Sequence, residues 1–324
     1  MANARRVLFN LLTFVPGALS LPGVQARLRK RSIGAVASSS ARYCYSVWLR
    51  HLRMAADTGL ATRARAVAEL GPGASLGVGL AALLCGADEY HAFDVVQHTE
   101  SERNLRVLEE LIELYRARTA IPEDREFPQL RPQLKSYAFP HDVLDEATLS
   151  VALAPERIQR IRHSLRNVGS ATSMIRYQAP WTDESVVQEN SVDVVFSQAV
   201  LEHVDDLTGA YHAMWRWLKP GGFMSHTIDF RSHGWSTRWD GHWGYSELAW
   251  RLIRGRDVWS INREPYSTHR RLIEAQGFRL VSEQRTRCPA ATARSSLAPR
   301  FRDMPEEDRA TRGVFVQAVK SPGA

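Results

Sequence analysis

The stretch AELGPGASLG, residues 68–77, decides the fold of this chain. It is a glycine-rich turn that follows a short apolar run, residues 66–70, and precedes the nearly all-apolar segment VGLAALLCG, residues 78–86. The apolar run is typical of a strand, and the segment after the turn predicts a buried helix. Because such a turn leaves backbone N–H groups at the start of a helix, it is a common binding place for nucleotide-like ligands.

Strand-like and helix-like segments alternate along much of the remaining chain. The second predicted strand, EYHAFDV, follows the first at the spacing of one βαβ unit and carries Asp94 near its end. The predicted strands cover residues 66–70, 89–95, 174–180, 192–198, 223–230, 278–285 and 313–319. This alternation predicts an α/β fold with a doubly wound, mainly parallel, seven-stranded sheet of the Rossmann-like type.

Two helical additions to this alternating pattern are expected. Residues 1–60 are predicted to form a helical N-terminal arm, and residues 61–324 form the main domain. Residues 97–173 are about twice as long as a plain helical crossover, so they predict a helical insertion that covers the site. Within this insertion, residues 145–169 are predicted to form one helix that is basic at its end.

The beginning of the chain, MANARRVLFNLLTFVPGALSLPGV, leaves three alternatives open. Pro16, Gly17, Pro22 and Gly23 interrupt it too early for a membrane-spanning helix of roughly 20 residues. Its apolar side chains could pack on the domain, make peripheral contact with a membrane, or belong to a cleaved signal peptide.

Composition excludes some classes of protein. The formal net charge is +7, with basic clusters at residues 27–31, 157–166 and 294–302. These clusters are either solvated helix faces or a surface for an anionic partner: a phosphorylated substrate, a membrane or nucleic acid. Nucleic acid is disfavoured because the arginines are scattered and no nucleic-acid-binding motif accompanies them.

The cysteines argue against a structural cross-linked framework. Cys44, Cys85 and Cys288 lie far apart, and no CxxC pair occurs in the chain. This usage excludes a zinc ribbon and a disulfide framework, and it predicts a reducing, cytoplasmic location.

The glycine turn departs from the pattern of a nicotinamide-dependent oxidoreductase. That class requires GxGxxG, and here Leu76 stands where the third glycine belongs, after Gly71 and Gly73. Glu69, two positions before the first glycine, suits a ligand with an ammonium group better than one with a pyrophosphate. An NAD-dependent oxidoreductase therefore stays an alternative and not the first interpretation.

At these residues the chain resembles the class I S-adenosylmethionine-dependent methyltransferases. Their first motif, E/DxGxGxG, is matched by Glu69, Gly71 and Gly73, while Ser75 replaces the third glycine. The later stretch SVDVVFSQAVLEHVDDL, residues 191–207, is followed by a helix and LKPGG, and it is similar to the LEHV-containing, methyltransferase type 11-like subgroup. The resemblance covers about residues 62–96 and 174–230.

The resemblance implies S-adenosylmethionine as cofactor and assigns a role to each part of its site. The methionine carboxylate would meet the backbone of the glycine turn, and its ammonium group would lie near Glu69. Asp94 would accept both ribose hydroxyls, the adenine would lie near Ala179 and Trp181, and the end of the fourth strand would face the methionine. The implied cofactor-binding residues are Glu69, Gly71, Gly73, Ser75, Asp94, Ala179, Trp181, Ser197 and Gln198. Asp183 is a weaker candidate for the adenine.

The acceptor site is expected beyond the fourth and fifth strands, in the loop region 231–265. Histidine titrates near neutral pH and is the natural general base for a hydroxyl acceptor, so His203, His233 and His242 are the catalytic candidates. Structural hydrogen bonding within a packed loop is the alternative for each. The histidines lack HxxxH or Cys/His spacing, so no metal site is predicted.

The same region combines aromatic and polar side chains. Trp235, Trp239 and Trp243 among carboxylates and amides resemble a carbohydrate-binding surface, although a lipid or polyketide pocket and simple loop packing stay open. The segments ARYCYSVWLRHL, GHWGYS and INREPYSTH are similar to bacterial methyltransferases of surface-glycan gene sets, which suggests polysaccharide biosynthesis.

These observations together predict a methyltransferase that acts on a hydroxyl of a small molecule or glycan by in-line methyl transfer. A non-catalytic binding protein on the same fold is the second alternative, beside the oxidoreductase. A nucleic-acid methyltransferase is disfavoured, because no N/DPPY-type tetrapeptide follows the fourth strand. The sequence does not indicate the oligomeric state.

Overall fold

The computed structural model describes residues 10, 13–14, 40–96, 100–181, 183–257 and 259–321. Seven strands form one sheet, and nine α-helices are described along the same ranges. The strands are β1 Ala66–Leu70, β2 Glu89–Phe93, β3 Ile175–Gln178, β4 Val192–Gln198, β5 Leu218–Asp229, β6 Phe278–Arg287 and β7 Thr311–Lys320. The helices are α1 Ala41–Asp57, α2 Gly77–Leu84, α3 Ser101–Arg116, α4 Glu146–Ala152, α5 Pro155–Arg166, α6 Leu207–Trp217, α7 Glu247–Arg254, α8 Tyr266–Ala275 and α9 Glu306–Arg309.

The sheet confirms the predicted doubly wound, mainly parallel architecture. Its strand order is β3-β2-β1-β4-β5-β7-β6. Neighbours from β3 through β5 pair in parallel, whereas β7 runs antiparallel to both β5 and β6. The order reverses between β1 and β4, and the carboxyl ends of these strands are where such sheets bind ligands.

Each face of the sheet has its own hydrophobic core. One core joins alternate residues of β1 and β4, such as Val67 and Phe196, to α1, α2 and α3. The other joins Ala68 and Val195 to α6 and to the chain after β5. Because the side chains of a strand alternate between faces, β1 and β4 contribute to both cores.

Helix α1, the part of the predicted arm that the structure describes most fully, packs in the first core. Ser40 caps it by accepting from the backbone N–H of Tyr43, and Tyr45, Trp48 and Leu49 are buried. The division of the chain at residue 60 stays a prediction. This helix nevertheless shares its apolar contacts with the strands that follow it.

Most of the N-terminal segment for which membrane contact was an alternative lies outside the described residues. Two of its described residues contact the end of α7: Asn10 donates to the carbonyl of Ile253, and Thr13 accepts from the backbone N–H of Arg256. Among the helices in the described ranges, none is both long and apolar enough to cross a bilayer.

Several element boundaries differ from the sequence-based prediction. Pro155 ends the helix predicted over residues 145–169 and begins a new one, because proline fits the first turn of a helix but not its interior. Strand β5 pairs from Leu218, before the predicted start, and its KPGG segment bulges out of register. Strand β2 ends at Phe93, so Asp94 is the first residue beyond the strand.

Candidate active site

The turn between β1 and α2 requires its two glycines. Gly71 and Gly73 have φ angles of +65° and +67°, in the left-handed region that favours glycine. A Cβ atom on Gly71 would lie 2.6 Å from Cγ2 of Val200, whereas the space beside Gly73 is open. The turn therefore packs against the segment after β4 and leaves room for a ligand at Gly73.

Asp94 ties the tip of β2 to this turn. Its carboxylate accepts from the backbone N–H of Gly73 at 3.0 Å and from that of Val95 at 2.7 Å. The side chain is 7% exposed, at the edge of the sheet where the order of strands reverses.

The close helix packing that the third glycine of the motif would allow depends on other residues in this chain. Ser75 is buried, and its hydroxyl accepts from the backbone N–H of Gly77. Close helix packing depends instead on Gly77 and Gly79, where a Cβ would lie 2.4 Å from Sγ of Cys44 and 2.0 Å from Cζ of Tyr90. The GxGxxG pattern does not predict this packing, because the two glycines lie further along the chain than the third glycine of that pattern.

Glu69 is buried beneath the turn. The hydroxyl of Tyr90 donates to its Oε2 at 2.5 Å, and burial, reinforced by the charge of Asp94, raises the pKa of Glu69 to about 8. The carboxyl group therefore holds a proton near neutral pH in the absence of a cation. A nearby ammonium group would favour its ionised form.

Ala179 and Trp181 follow β3 next to Asp94. The backbone N–H of Trp181 donates to the carbonyl of Asp94 at 3.2 Å, and its indole packs on Phe93 and Trp217. Residue 182 lies outside the described residues. Asp183 accepts from the backbone N–H of Ser185, so its carboxylate caps a short 3-10 helix.

The two residues that end β4 point in different directions. Ser197 is completely buried, and its hydroxyl lies 2.8 Å from Nδ1 of His226 on β5. Gln198 turns to the opposite face, where its Oε1 lies 3.4 Å from Nε2 of His51. Only Gln198 therefore presents its side chain toward open space.

The LEHV segment is held in place by one asparagine. Ala199 leaves β4 with a φ angle of +55°, and residues Leu201–His203 form a short 3-10 helix. The side-chain amide of Asn262 donates to the carbonyls of Leu201 and Val204, each at 2.8 Å, and its backbone N–H donates to that of Glu202. This clamp fixes the position of the Glu202 and His203 side chains.

The structure brings the three predicted histidines into one region. The rings of His203 and His233 are 5.1 Å apart between centroids, and the charge of His233 lowers the pKa of His242. His233 is the most accessible of the three, with 27% of its side chain exposed. Burial lowers the pKa of His203 to about 4 and that of His242 to about 3, so both are neutral at physiological pH.

Asp229, the last residue of β5, contacts His233. Nε2 of His233 lies 3.4 Å from Oδ2 of Asp229, and Nε of Arg231 donates to both carboxylate oxygens. Burial alone would raise the pKa of Asp229, but the hydrogen bonds from His233 and Arg231 outweigh it and hold the pKa below its ordinary value. An ionised Asp229 therefore orients the imidazole of His233.

The tryptophans of the loop region do not form the expected carbohydrate-binding surface. Trp235 and Trp250 are buried against each other with ring centroids 5.5 Å apart, and Trp243 is 1% exposed. The half-buried Trp239 donates its indole N–H to the carbonyl of Pro289. Loop packing, the simplest of the three alternatives, accounts for these side chains, because burial of the aromatic area stabilises a long loop.

Glu202 is a site residue that the sequence did not identify. It lies close to two of the predicted histidines: one ligand atom from each of Glu202, His203 and His233 is within 4.8 Å of the other two. The sequence predicted no metal site because only the spacing of ligand residues within one segment was considered. These three side chains come instead from two segments, one after β4 and one after β5. Only its position in the LEHV segment, next to His203, could have indicated Glu202.

A cavity of about 470 Å³ opens at the carboxyl ends of β4 and β5. Gln198, Ala199 and Asp229 line one side, and residues 126–131, part of the predicted insertion, line another. Arg312 of β7 also lines it, and its side chain has no hydrogen bond or ion pair to a described residue. The volume is in the range of small-molecule sites.

Comparison with known proteins gives a family match over part of the chain. A family model described as a methyltransferase domain matches residues 137–225, which run from the insertion through β3 and β4 into β5. No curated protein matches the chain.

Solved structures are similar at low sequence identity. A Listeria monocytogenes protein assigned as an S-adenosylmethionine-dependent methyltransferase shares 15% identity at a TM-score of 0.41, over 86% of this chain and 98% of its own. Phosphoethanolamine N-methyltransferase 2 of Haemonchus contortus, in complex with S-adenosylmethionine, shares 14% at a TM-score of 0.41, over 91% and 60%. An S-adenosylmethionine-dependent methyltransferase of Methanosarcina mazei shares 12% at a TM-score of 0.41, over 81% and 95%. Similarities this distant carry no information about the substrate.

Proposed function

We propose that this chain is a class I S-adenosylmethionine-dependent methyltransferase and that it transfers the methyl group of that cofactor to a hydroxyl of a small molecule or glycan. The observation that carries the proposal is the Asp229–His233 pair at the end of β5. Asp229 also lines the cavity of about 470 Å³, and its contact with His233, which does not itself line the cavity, links the imidazole to the space available to an acceptor.

The residues of the glycine turn fit the cofactor. Open space beside Gly73 admits the methionine end, and Asp94 stands at the tip of β2 for the ribose. Glu69 is near enough to this turn to favour a bound ammonium group once its proton is displaced. When bound, the cofactor supplies an electrophilic methyl group on a sulfonium.

His233 is the proposed base among the three predicted histidines. His233 would accept the proton of the acceptor hydroxyl, while the bound cofactor would supply the methyl group to the hydroxyl oxygen and be released as S-adenosylhomocysteine. The exposure of His233 and its contact with Asp229 support this choice, whereas His242 is buried and burial lowers the pKa of both His203 and His242.

The cavity supports an acceptor of limited size with polar groups. Arg312 is available to an anionic group, such as a carboxylate or phosphate on a sugar, because its guanidinium has no partner among the described residues. Gln198 and Asp229 add an amide and a carboxylate that can bind hydroxyls.

The test is turnover on defined acceptors. Purified protein is incubated with S-adenosylmethionine and, separately, with neutral monosaccharides, uronic acids and sugar phosphates, and S-adenosylhomocysteine release is measured. We expect release with at least one hydroxylated acceptor, an O-methyl product by mass spectrometry and a strong loss in His233→Gln. Methylation found only on nitrogen acceptors would contradict hydroxyl transfer.

A further inference from the structure

Glu202, His203 and His233 converge from two loops at the edge of the sheet. Glu202 and His203 lie in the 3-10 helix after β4, and His233 lies four residues beyond the end of β5. One ligand atom from each lies within 4.8 Å of the other two. We call these three residues the Glu202 cluster.

The carboxyl group of Glu202 lacks the partners that a buried acid normally has. The residue is 2% exposed, and neither of its carboxylate oxygens has a side-chain hydrogen-bond partner among the described residues. Burial, with the charge of Asp229 added to it, raises the pKa of Glu202 well above its ordinary value, although the backbone N–H groups of Glu202 and Asp229 and the charge of Arg231 act in the opposite direction. Buried carboxylates of native proteins are usually paired or bound to a metal. Arg231 forms its ion pair with Asp229 instead.

The ring of His203 is arranged as in a metal-binding histidine. Backbone carbonyls of Trp259 and Ser260 hydrogen-bond to it, while its buried Nδ1 has no hydrogen-bond partner in the described part of the chain. A second ring nitrogen bonded to a backbone carbonyl is the usual arrangement that orients a ligating imidazole. Because His203 is neutral at physiological pH, its lone pair is available without loss of a proton.

We propose that the Glu202 cluster binds one divalent transition-metal ion through the Glu202 carboxylate and the imidazoles of His203 and His233. Two imidazoles with one carboxylate suit zinc and neighbouring first-row ions, and they leave a coordination position open. Ligand atoms about 2.1 Å from a tetrahedral zinc ion lie about 3.4 Å from one another, so side-chain atoms that are now up to 4.8 Å apart must approach by up to about 1.4 Å.

The proposed ion would change the chemistry of its neighbours. Its charge would offset the burial of Glu202 and the nearby charge of Asp229, and it would add to the charge of Arg231, which acts on both carboxylates. The inference rests on the geometry of the cluster and not on the proposed acceptor. It does share His233 with the proposed base: an ion bound at that imidazole competes with a proton.

The experiment measures metal binding directly on the full chain. Chelator-treated protein is titrated with Zn²⁺ by calorimetry, and with Co²⁺ by visible absorption, which reports the ligand field. We expect one ion per chain and Co²⁺ absorption bands without thiolate charge transfer. Glu202→Gln and His203→Gln should each lower the affinity by at least about tenfold.

His141→Gln is the matched control, because His141 is exposed and lies outside the cluster. It should bind as the wild type does, and urea unfolding of every variant shows whether the fold is intact. Glu202→Gln keeps the size of the side chain and removes a buried acid, so it should fold. If this variant nevertheless unfolds, the affinity of His203→Gln and the Co²⁺ spectrum of the wild type decide whether the Glu202 cluster binds the ion.

Three results would overturn the inference: no binding, binding that both cluster variants retain, or a Co²⁺ spectrum with thiolate ligands. None of these readouts uses methyl transfer, so a failure here leaves the proposed function standing. Conversely, one bound ion with no O-methyl product would retain the metal site and reject the acceptor chemistry.

Discussion

Nε2 of His233 lies 3.4 Å from Oδ2 of Asp229, so the loop after β5 turns back to contact the end of its own strand. The turn requires His233 to adopt a φ angle of +48°, which is uncommon for a residue other than glycine. Strained backbone of this kind occurs preferentially at functional sites. The pair therefore links a backbone conformation to a side-chain orientation next to the cavity.

Replacing His233 by Gln should lower kcat by about 10²–10⁴-fold, because the acceptor hydroxyl loses its base. Affinity for S-adenosylmethionine should not change, since the glycine turn and Asp94 are untouched. The change in kcat is measured from S-adenosylhomocysteine release, and the affinity for S-adenosylmethionine is measured by calorimetry. His141→Gln serves as control, and normal turnover of the His233 variant would show that the imidazole is structural.

A chelator separates the two possible ways to remove the acceptor proton. If His233 acts alone, turnover should persist in protein freed of metal. If the ion of the Glu202 cluster lowers the pKa of the hydroxyl, turnover should disappear with the metal and return when Zn²⁺ is added. Both measurements use the same acceptor and the same release assay.

Asp94→Ala should weaken S-adenosylmethionine binding by roughly 1.5–3 kcal/mol, because a charged acceptor of hydrogen bonds is lost. The carboxylate also holds the backbone of Gly73, so part of the effect comes from a looser turn. Calorimetry measures the change. Asp183→Ala is the control, since that carboxylate contacts Ser185; unchanged affinity in Asp94→Ala would reject the ribose assignment.

The stability of the cofactor-free chain should depend on the protonation of Glu69. Its pKa is raised from 4.5 to about 8 by burial, so between these values the folded chain holds a proton that the unfolded chain has released. The free energy of unfolding therefore falls as pH rises, by up to about 1.4 kcal/mol per pH unit, and levels off above the folded pKa.

Urea unfolding of the wild type and Glu69→Gln across this pH range isolates the effect. The variant should gain stability relative to the wild type as pH rises, because its amide does not titrate. Glu113→Gln, at an exposed position, should follow the wild type. Parallel profiles for the wild type and Glu69→Gln would mean that the carboxyl group is ionised throughout.

Asn262→Ala should destabilise the protein by about 1–3 kcal/mol, since it leaves the carbonyls of Leu201 and Val204 without their amide donor. Turnover should fall as well, because the Glu202 cluster depends on this clamp. Asn167→Ala is a control for loss of an exposed amide. Equal stability losses in the two variants would argue against the clamp.

The strand pattern and the glycine turn were sufficient to predict the sheet. The length and period of apolar runs such as those of β1 and β4 identify them as strands. The spacing between β1 and β2 predicted the helical crossover that joins them. Boundaries near Pro155 and Leu218 were wrong because they depend on local backbone constraints, namely a proline at a helix start and a bulge in the β4–β5 pairing.

The site could be predicted only in part. The strand assignment alone locates the residues that directly follow a strand, such as the turn at Gly71 and Asp94. The contacts of His51 with Gln198 and of Glu202 with His233 join distant segments, and no sequence spacing reports them. Burial of Trp235 and Trp243 likewise depends on how the long loop folds onto itself.

The most direct test of the account is calorimetric binding of S-adenosylmethionine, S-adenosylhomocysteine and NAD to the purified chain. The account predicts micromolar binding of the first two, no binding of NAD, and a loss of affinity in Asp94→Ala. Binding of NAD without either of the other ligands would contradict it.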